Sequence, residues 1–183
     1  MEQTTSTTDE QDRALVRGYL AGEQQAAGGL IDRYQKPLFN VALRMLHNAQ
    51  DAEDVTQTVF LNALLQLRSY DPKYRFFSWV YRMTVNESLN LIKRRKPTVD
   101  IEERPGLTAP GSTLDEVAEA QDRVGKALLV LRPDDRAVVV LKHFMDFSYE
   151  EIADVLEVPV KTVKSRLFTA RDRLREALRE PRG

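Results

Sequence analysis

The sequence predicts an all-α protein made of two small helical domains joined by a flexible linker. Apolar residues recur at helical spacings along most of the chain, and one such stripe comprises Leu30, Tyr34, Leu38, Val41 and Met45. Valine and isoleucine do not alternate with polar residues over a useful length, which argues against regular strands. The helical periodicity stops once, in a segment rich in proline and glycine, and this interruption indicates two domains.

The predicted organisation has four parts. The first eleven residues are polar and acidic without an apolar centre, which predicts a disordered tail at 1–11 rather than a secretory signal. Residues 12–96 form the first domain, residues 97–113 the linker and residues 114–180 the second domain. The linker, fully extended at roughly 3.3 Å per residue, reaches about 55 Å.

Composition excludes several classes of protein. The chain has no cysteine, so disulfides and thiolate metal sites are excluded, and its two histidines are not spaced as ligands. We therefore expect no metal and no other cofactor. No apolar run approaches the roughly 18 residues that span a bilayer, so we expect no membrane insertion and a cytoplasmic location.

The net charge of −1 hides a strong pattern of charge along the chain. Residues 73–96 hold seven basic side chains against one acidic, and residues 161–179 hold seven against two. Between them, residues 97–120 hold one basic and six acidic side chains. Two basic segments around an acidic one indicate two places where a polyanion is held, although basic helical faces are often simply solvated.

Residues 148–178 carry the pattern of a helix-turn-helix. Ser148 and Glu151 are spaced as a capping box, which predicts the start of a short helix, and Pro159 suits the start of a second. The second helix is predicted to bury one stripe, namely Val160, Val163, Leu167, Ala170, Leu174 and Leu178. Its opposite face is polar and basic and fits the major groove of DNA. The alternative is an ordinary helical hairpin with a solvated basic face.

The stretch YEEIADVLEVPVKTVKSRLFTAR resembles region 4 of bacterial sigma factors, the helix-turn-helix that binds the −35 element of promoters. We expect Lys164 and Ser165 to reach base edges. Glu157 stands where the family often has glycine, so we expect a strained or altered turn. Thr169 replaces a common basic residue, so one DNA contact is expected to be lost. The −35 contacts expected in full are Lys161, Thr162, Lys164, Ser165, Arg166, Phe168, Thr169, Arg171 and Arg173.

The first domain mixes aromatic residues with cations in its second half. Opening a duplex requires a surface that stacks extruded bases and cations that hold the displaced phosphates, and these residue types supply both. The alternative is that Phe76, Trp79, Val80 and Met83 are simply core, which we favour for Trp79 and Met83. The loop from Tyr70 to Arg75 is expected to be exposed. Asp51 is expected to cap the helix that starts near Ala52.

Two stretches of this domain resemble region 2 of sigma factors. DAEDVTQTVF is similar to the helix that docks on the coiled coil of the largest polymerase subunit, which implies polymerase binding by Asp51, Asp54, Gln57 and Leu61. FFSWVYRMTVNESLNLIKRR is similar to the part that melts and reads the −10 element. For Asn86, a solvent-facing position without a recognition role is the alternative. The implied −10 contacts are Tyr70, Lys73, Tyr74, Arg75, Arg82, Asn86, Lys93, Arg94 and Arg95.

Gly28 and Gly29 depart from the bulkier residues usual in the family. Because each glycine costs about 1 kcal/mol inside a helix, we expect a looser first pair of helices.

Both resemblances in this order, without room for an intermediate domain, imply a sigma factor of the extracytoplasmic-function group. The implied function is to bind core RNA polymerase through its coiled coil and flap region, direct it to promoter DNA and promote melting. An anti-sigma factor is a further implied partner. The alternative interpretation is a stand-alone helix-turn-helix regulator with an N-terminal sensing or dimerisation module. We expect no catalysis, because the adjacent acidic pairs Asp134–Asp135 and Glu150–Glu151 diverge on a helix and suit its first turn.

Overall fold

The computed structural model describes residues 2–95 and 122–178, and the regular elements within these ranges are all helices, which confirms the predicted all-α class. The first domain contains α1 (Glu2–Leu20), α2 (Gln24–Leu46), α3 (Ala49–Gln66), a 3-10 turn (Leu67–Ser69) and α4 (Phe76–Arg94). The second contains α5, helical at 122–129 in its described part, then α6 (Pro133–His143), α7 (Tyr149–Leu156) and α8 (Val160–Ala177). The predicted linker at 97–113 lies outside the described residues.

The segment predicted to be a disordered tail is helical instead. Residues 2–11 belong to α1, whose later turns bury Val16 and Asp12 against the rest of the domain. Asp12 accepts hydrogen bonds from the Tyr34 hydroxyl and, at 2.6 Å, from Arg33 Nη1. A buried carboxylate needs such partners. The prediction failed because these anchoring contacts are polar and reach across more than twenty residues, so they leave no local apolar pattern.

The N-cap of α3 lies three residues earlier in the chain than predicted. His47 ends α2 in the left-handed conformation, with φ of 52°. Asn48 is the N-cap of α3, and its side-chain oxygen accepts a hydrogen bond of 3.0 Å from the Asp51 backbone N–H. The expectation that Asp51 caps this helix was therefore wrong, and Asp51 lies within the first turn.

The core of the first domain lies between α2, α3 and α4. All five residues of the predicted α2 stripe are buried, which confirms that prediction. Val55, Val59 and Ala63 supply the facing side of α3. None of the helices within the described ranges combines the length and the apolar character needed to cross a bilayer.

The two glycines of α2 play different parts. A Cβ atom at Gly29 would lie 2.8 Å from Leu15 Cδ2, closer than real Cβ contacts, so glycine permits the close approach of α1. At Gly28, no heavy atom of the described chain lies within 4 Å of a Cβ position, apart from the neighbouring helix backbone. The expected looseness of the first helix pair is therefore not seen at Gly29.

The two domains pack against each other, and their buried apolar residues form one continuous core. α4 contacts α6 and α7, and α2 contacts α6. Arg136 of α6 is buried and donates hydrogen bonds to the backbone oxygens of Leu128 (2.9 Å) and of Met45 at the end of α2. Burial lowers the pKa of this guanidinium.

Candidate nucleic-acid interface

The helix-turn-helix has the local geometry that its sequence predicts. Ser148 Oγ accepts a hydrogen bond of 3.1 Å from the Glu151 N–H, and a Glu151 carboxylate oxygen accepts one of 2.8 Å from the Ser148 N–H. This reciprocal pair is the predicted capping box, and it orients the first turn of α7. Ile152 and Val155 bury the inner face of the helix.

The turn after α7 depends on a left-handed residue. Glu157 adopts φ of 52° and ψ of 44°, a conformation that favours glycine. The Val158 N–H then donates to the Ala153 carbonyl at 3.1 Å, which closes the turn. The expected strain at Glu157 is therefore present. Pro159 follows in an extended conformation as the N-cap of α8.

The buried side of α8 follows the predicted stripe over its first three turns. Val163, Leu167 and Ala170 are buried against the second domain, whereas Val160 and Leu174 are only partly covered. Leu178 departs from the prediction, since it lies just past the helix and is 55% exposed. Leu178 is the C-cap of α8, and Arg175, Glu176 and Ala177 before it are exposed as well, so this end of the helix extends beyond the core.

The opposite side of α8 faces solvent and carries most of the expected −35 contacts. Phe168 stands at its centre with 70% of its surface exposed, although apolar aromatic residues are usually covered. Thr162, Arg166 and Arg173 lie at the margins and are half-buried. The fully exposed residues of this face are Lys161, Lys164, Ser165, Phe168, Thr169 and Arg171.

Two arginines at the edge of the exposed face of α8 lie beside the acidic first turn of α6. Arg173 Nη1 lies 3.6 Å from an Asp135 carboxylate oxygen, and Arg166 Nη2 lies 3.9 Å from one of Asp134. These ion pairs orient the guanidinium groups along the edge of the recognition surface. The acidic residues themselves lie in the first helical turn, as expected.

Tyr149 is a residue of this surface that the sequence reading missed. Its ring lies 5.4 Å from the Lys142 ammonium and 5.5 Å from that of Lys164, distances that allow cation–π attraction. Tyr149 thereby orients a cation that is expected to reach base edges. No local sequence pattern predicts this contact, because Lys164 lies in the following helix.

In the first domain, the loop before α4 is less exposed than predicted at its first residue. Tyr70 is buried, its hydroxyl donates a 2.5 Å hydrogen bond to the Tyr74 carbonyl, and its ring packs near Phe76 and Trp79. Burial raises the pKa of Tyr70 to about 12. The aromatic cluster supplies a better environment for this ring than solvent, so Tyr70 supports the loop rather than presenting a surface.

The remaining −10 candidates divide into two groups. One group is solvent-exposed, and it comprises Lys73, Tyr74, Asn86, Lys93 and Arg94. Tyr74 is the most accessible aromatic residue of the loop, with 67% of its surface exposed. The other group is held by carboxylates of other elements, and it comprises Arg75, Arg82 and Arg95. Arg94 of the exposed group also forms a salt bridge, of 2.6 Å, with Glu87 of its own helix.

Arg95 forms a salt bridge within its own domain. Its guanidinium makes two hydrogen bonds of 2.5 Å to the carboxylate of Asp51, which is itself buried. Asp51 was expected to contact the polymerase and Arg95 to contact DNA, but the structure joins them to each other. A carboxylate at a buried position needs a nearby cation, and the end of α4 provides it.

The other candidates for polymerase binding share one exposed face of α3. Asp54, Gln57 and Leu61 follow each other at spacings of three and four, and Leu61 is 61% exposed. Leu65 continues the same face as a further exposed apolar residue that sequence reasoning did not single out. A groove of about 420 Å³ between α2 and α3 adjoins Gln57, with Phe39 and Thr56 in its lining. The face is acidic at one end and apolar at the other.

Sequence comparison assigns both halves of the chain. Residues 30–98 match the family model for Sigma-70 region 2, and residues 121–174 match that for Sigma-70, region 4. The ECF RNA polymerase sigma factor SigW of Bacillus subtilis is 31% identical over 172 residues, which cover 87% of this chain and 92% of that protein.

The chain belongs to the sigma-70 family, in its extracytoplasmic-function group.

Other relatives of this sigma factor agree. The RNA polymerase sigma-H factor of Pseudomonas aeruginosa is 32% identical, covering 93% of this chain and 95% of the relative. The ECF RNA polymerase sigma-E factor of Escherichia coli is 31% identical, covering 88% and 91%. Such factors direct RNA polymerase to promoters rather than acting alone, so the stand-alone regulator is not favoured. They are not enzymes.

Solved structures share the architecture of this sigma factor. CnrH, in complex with the cytosolic domain of CnrY, superimposes with a TM-score of 0.73 at 28% identity, covering 92% of this chain and 97% of that one. The sigma factor RpoE of Bartonella quintana, in complex with the anti-sigma factor NepR, gives a TM-score of 0.67 at 27% identity, covering 82% and 95%. Among the described residues of this chain, no group of three or more metal-ligating side chains is placed to hold an ion.

Proposed function

We propose that the two domains of this sigma factor divide promoter recognition between them. In this proposal the second domain reads the −35 element through α8, and the first domain docks on core polymerase and melts the −10 element. The observation that carries the proposal is the solvent-exposed face of α8, which places cations, a hydroxyl and an aromatic ring side by side on a helix supported by its own buried stripe.

At the −35 element, α8 would enter the major groove with its first three turns. Lys164 and Ser165 can donate hydrogen bonds to base edges, and Phe168 can contact the methyl group of a thymine. Arg171 lies one turn further on, where a phosphate contact would set position along the duplex. Specificity and positioning thus come from different residues of one face.

At the −10 element, the loop before α4 and the exposed side of α4 would hold separated strands. Tyr74 offers a ring on which an extruded base can stack. Asn86 can pair with a base edge, and Lys93 and Arg94 supply charge for the backbone. Arg75 and Arg82 would join them once their carboxylate partners are displaced.

Polymerase docking is assigned to the exposed face of α3. Leu61 and Leu65 expose apolar side chains to solvent, which favours their burial against a partner. The same face continues to the acidic side chain of Asp54. A partner helix of the polymerase coiled coil with apolar and basic residues would match this arrangement. We also propose an anti-sigma factor as a partner, by analogy with the solved complexes of CnrH and RpoE, and a cytoplasmic location beside polymerase and chromosome.

Reconstituted transcription with core polymerase on a promoter library tests this proposal directly. The wild-type chain should yield promoter-specific transcripts and enrich two sequence elements, whereas a stand-alone regulator would bind duplex DNA tightly without polymerase. Leu61→Asp should abolish core binding because it places a charge on the docking face. Gln24→Asp, which adds the same charge at an exposed site on α2, should bind core polymerase normally. Loss of core binding in both variants, or in neither, would contradict the docking assignment.

A further inference from the structure

We infer that His47 is the centre of a proton-dependent latch, in which its imidazole lies against α5 of the second domain and attracts Asp122. The latch consists of three residues, namely His47, Gly125 and Asp122. It joins the end of α2 to α5, so none of its residues belongs to the helix-turn-helix. Only its consequence for transcription rests on the proposed function.

The imidazole lies within ion-pair distance of a carboxylate from the other domain. His47 Nε2 is 3.3 Å from Asp122 Oδ1, and the other carboxylate oxygen of Asp122 is 3.0 Å from the ammonium group of Lys126. The hydrogen bond with Lys126 lowers the pKa of Asp122, and attraction to His47 adds to this effect. Asp122 therefore stays ionised around neutral pH and presents a constant negative charge to the imidazole.

Gly125 makes room for the imidazole on α5. A Cβ atom at position 125 would lie 2.3 Å from His47 Nδ1 and 2.4 Å from His47 Cε1, so any larger residue would displace the ring. Gly125 lies within the helix, where alanine would be the more favourable residue. The close approach of the ring gives this glycine a structural use.

The backbone of His47 holds the imidazole at the end of α2. His47 is the C-cap in the left-handed conformation, with φ of 52° and ψ of 34°, and its N–H donates a 2.7 Å hydrogen bond to the Leu43 carbonyl. Histidine is among the residues that tolerate this conformation. The His47 side chain remains 28% exposed, so solvent can supply and remove its proton.

The other cations along this edge keep their charge when histidine titrates. Arg44, one turn before His47, lies over the Phe144 ring at 4.0 Å from its centroid, and Arg136 of α6 donates a hydrogen bond to the Met45 carbonyl. Burial lowers the pKa of both guanidinium groups, but arginine stays protonated in proteins. Among the described residues of this edge, His47 is therefore the group whose charge changes near neutral pH.

The direction of the pH effect follows from the ion pair. Histidine gains or loses its proton between about pH 5 and about pH 8. The protonated ring attracts Asp122 and holds α5 against the end of α2, whereas the neutral ring makes a weaker contact. The closed form, in which the domains touch, should therefore be favoured in acidic solution. Through the proposed function, more alkaline solution would leave more molecules free to place the two domains on separate promoter elements.

Single-molecule energy transfer on the full chain measures the latch directly. Because the chain has no cysteine, Gln24→Cys and Ala177→Cys introduce one dye site at an exposed position of each domain. Counting molecules of high and low transfer gives the ratio of closed to open chains. The ratio is recorded at low salt from about pH 5.5 to about pH 8.5, which spans the titration of histidine.

Three variants each remove one part of the latch. His47→Gln removes the titrating group, Asp122→Asn removes its anionic partner, and Gly125→Ala fills the space beneath the ring. Two further variants are matched controls. His143→Gln removes the other histidine of the chain, and Gly28→Ala adds a methyl group that meets open space.

We expect the closed-to-open ratio of the wild type and of both controls to fall by about threefold to fivefold across this pH range, as for a partly exposed ion pair. Each latch variant should lose most of this dependence, and Gly125→Ala should have a lower ratio even in acidic solution. Added salt should reduce the dependence in the wild type. With core polymerase at limiting sigma concentration, transcription by the wild type relative to His47→Gln should rise with pH.

A wild-type ratio that does not change with pH would overturn the inference, and so would an equal pH dependence in His47→Gln. Loss of the dependence in His143→Gln alone would assign it to the other histidine, with the same consequence. Wild-type behaviour of Gly125→Ala would show that the imidazole does not lie on α5. The expected energy transfer without transcripts from any variant would contradict the proposed function and leave the latch supported.

Discussion

The Asp51 carboxylate and the Arg95 guanidinium are joined by two hydrogen bonds of 2.5 Å, which tie the first turn of α3 to the residue after α4. The carboxylate is buried, whereas the arginine side chain remains 57% exposed. This pair links the start of the proposed docking helix to the end of the proposed −10 helix. It makes Arg95 a structural residue next to Lys93 and Arg94, which face solvent.

Arg95→Ala should lower the free energy of unfolding by about 1–2 kcal/mol, because it leaves the Asp51 carboxylate buried without its cation. The partial exposure of Arg95 keeps the loss below that of a fully buried pair. Lys93→Ala, at an exposed position in the same run, should change stability by less than about 0.5 kcal/mol. Urea unfolding followed by circular dichroism measures both variants. Equal stability of the two would contradict the structural role.

The two glycines of α2 should respond oppositely to alanine. Gly28→Ala should stabilise the protein by up to about 1 kcal/mol, since a methyl group there meets open space and alanine is the better helix former. Gly29→Ala should be neutral or destabilising, because its methyl group would press on Leu15. The difference between their melting temperatures is the measurement. A gain of the same size from both would mean that α1 does not pack closely on α2.

Backbone conformation at Glu157 can be separated from its ion pair by comparing two variants that both lose the carboxylate. Glu157→Gly should be more stable than Glu157→Ala by about 1 kcal/mol, because glycine adopts a positive φ without the steric cost of a Cβ atom. Chemical denaturation of the two variants gives this difference. If alanine is tolerated as well as glycine, then the turn is not left-handed in solution.

The buried carboxylate of Asp12 should make stability depend on pH. Burial raises its pKa above the ordinary value of 3.8, an effect that hydrogen bonds from Tyr34 and attraction to Arg33 only partly offset. Because the folded-state pKa is the higher one, the contribution of Asp12 is complete below the unfolded-state pKa. It is lost as pH rises through the folded-state pKa.

The unfolding free energy of the wild type minus that of Asp12→Asn should therefore fall as pH rises from below 4 towards neutrality. Asp32→Asn, at an exposed position on α2, serves as the matched comparison. Urea titrations at a series of pH values give these differences. A wild-type advantage that increases with pH would show that the ion pair with Arg33 outweighs burial.

The helix-turn-helix was predictable because its signals are local. The capping box joins residues three apart, and the buried stripe of α8 follows from spacings of three and four. Hydrogen bonds of this reach are satisfied within the segment itself, so the sequence pattern and the folded geometry coincide. The exposed face of α8 consists of the positions that this buried stripe leaves out.

The −10 surface was predictable in composition but not in accessibility. Tyr70, Arg75, Arg82 and Arg95 were all assigned to DNA as members of one aromatic and basic stretch. The structure buries the first in an aromatic cluster and pairs the others with carboxylates, two of them up to 76 residues away. No local pattern encodes such distant partners.

By itself, the sequence determined the helices, the helix-turn-helix and the division of basic charge into two segments, because periodicity, capping and charge spacing act over a few neighbouring residues. Tertiary structure alone decided that α1 begins within the supposed tail, that Asp51 and Arg95 pair, and that α7 covers the arginines of α4. These outcomes depend on which distant groups meet when apolar surface is buried. Charge and aromatic content show what a residue can bind, and packing decides whether it is available to do so.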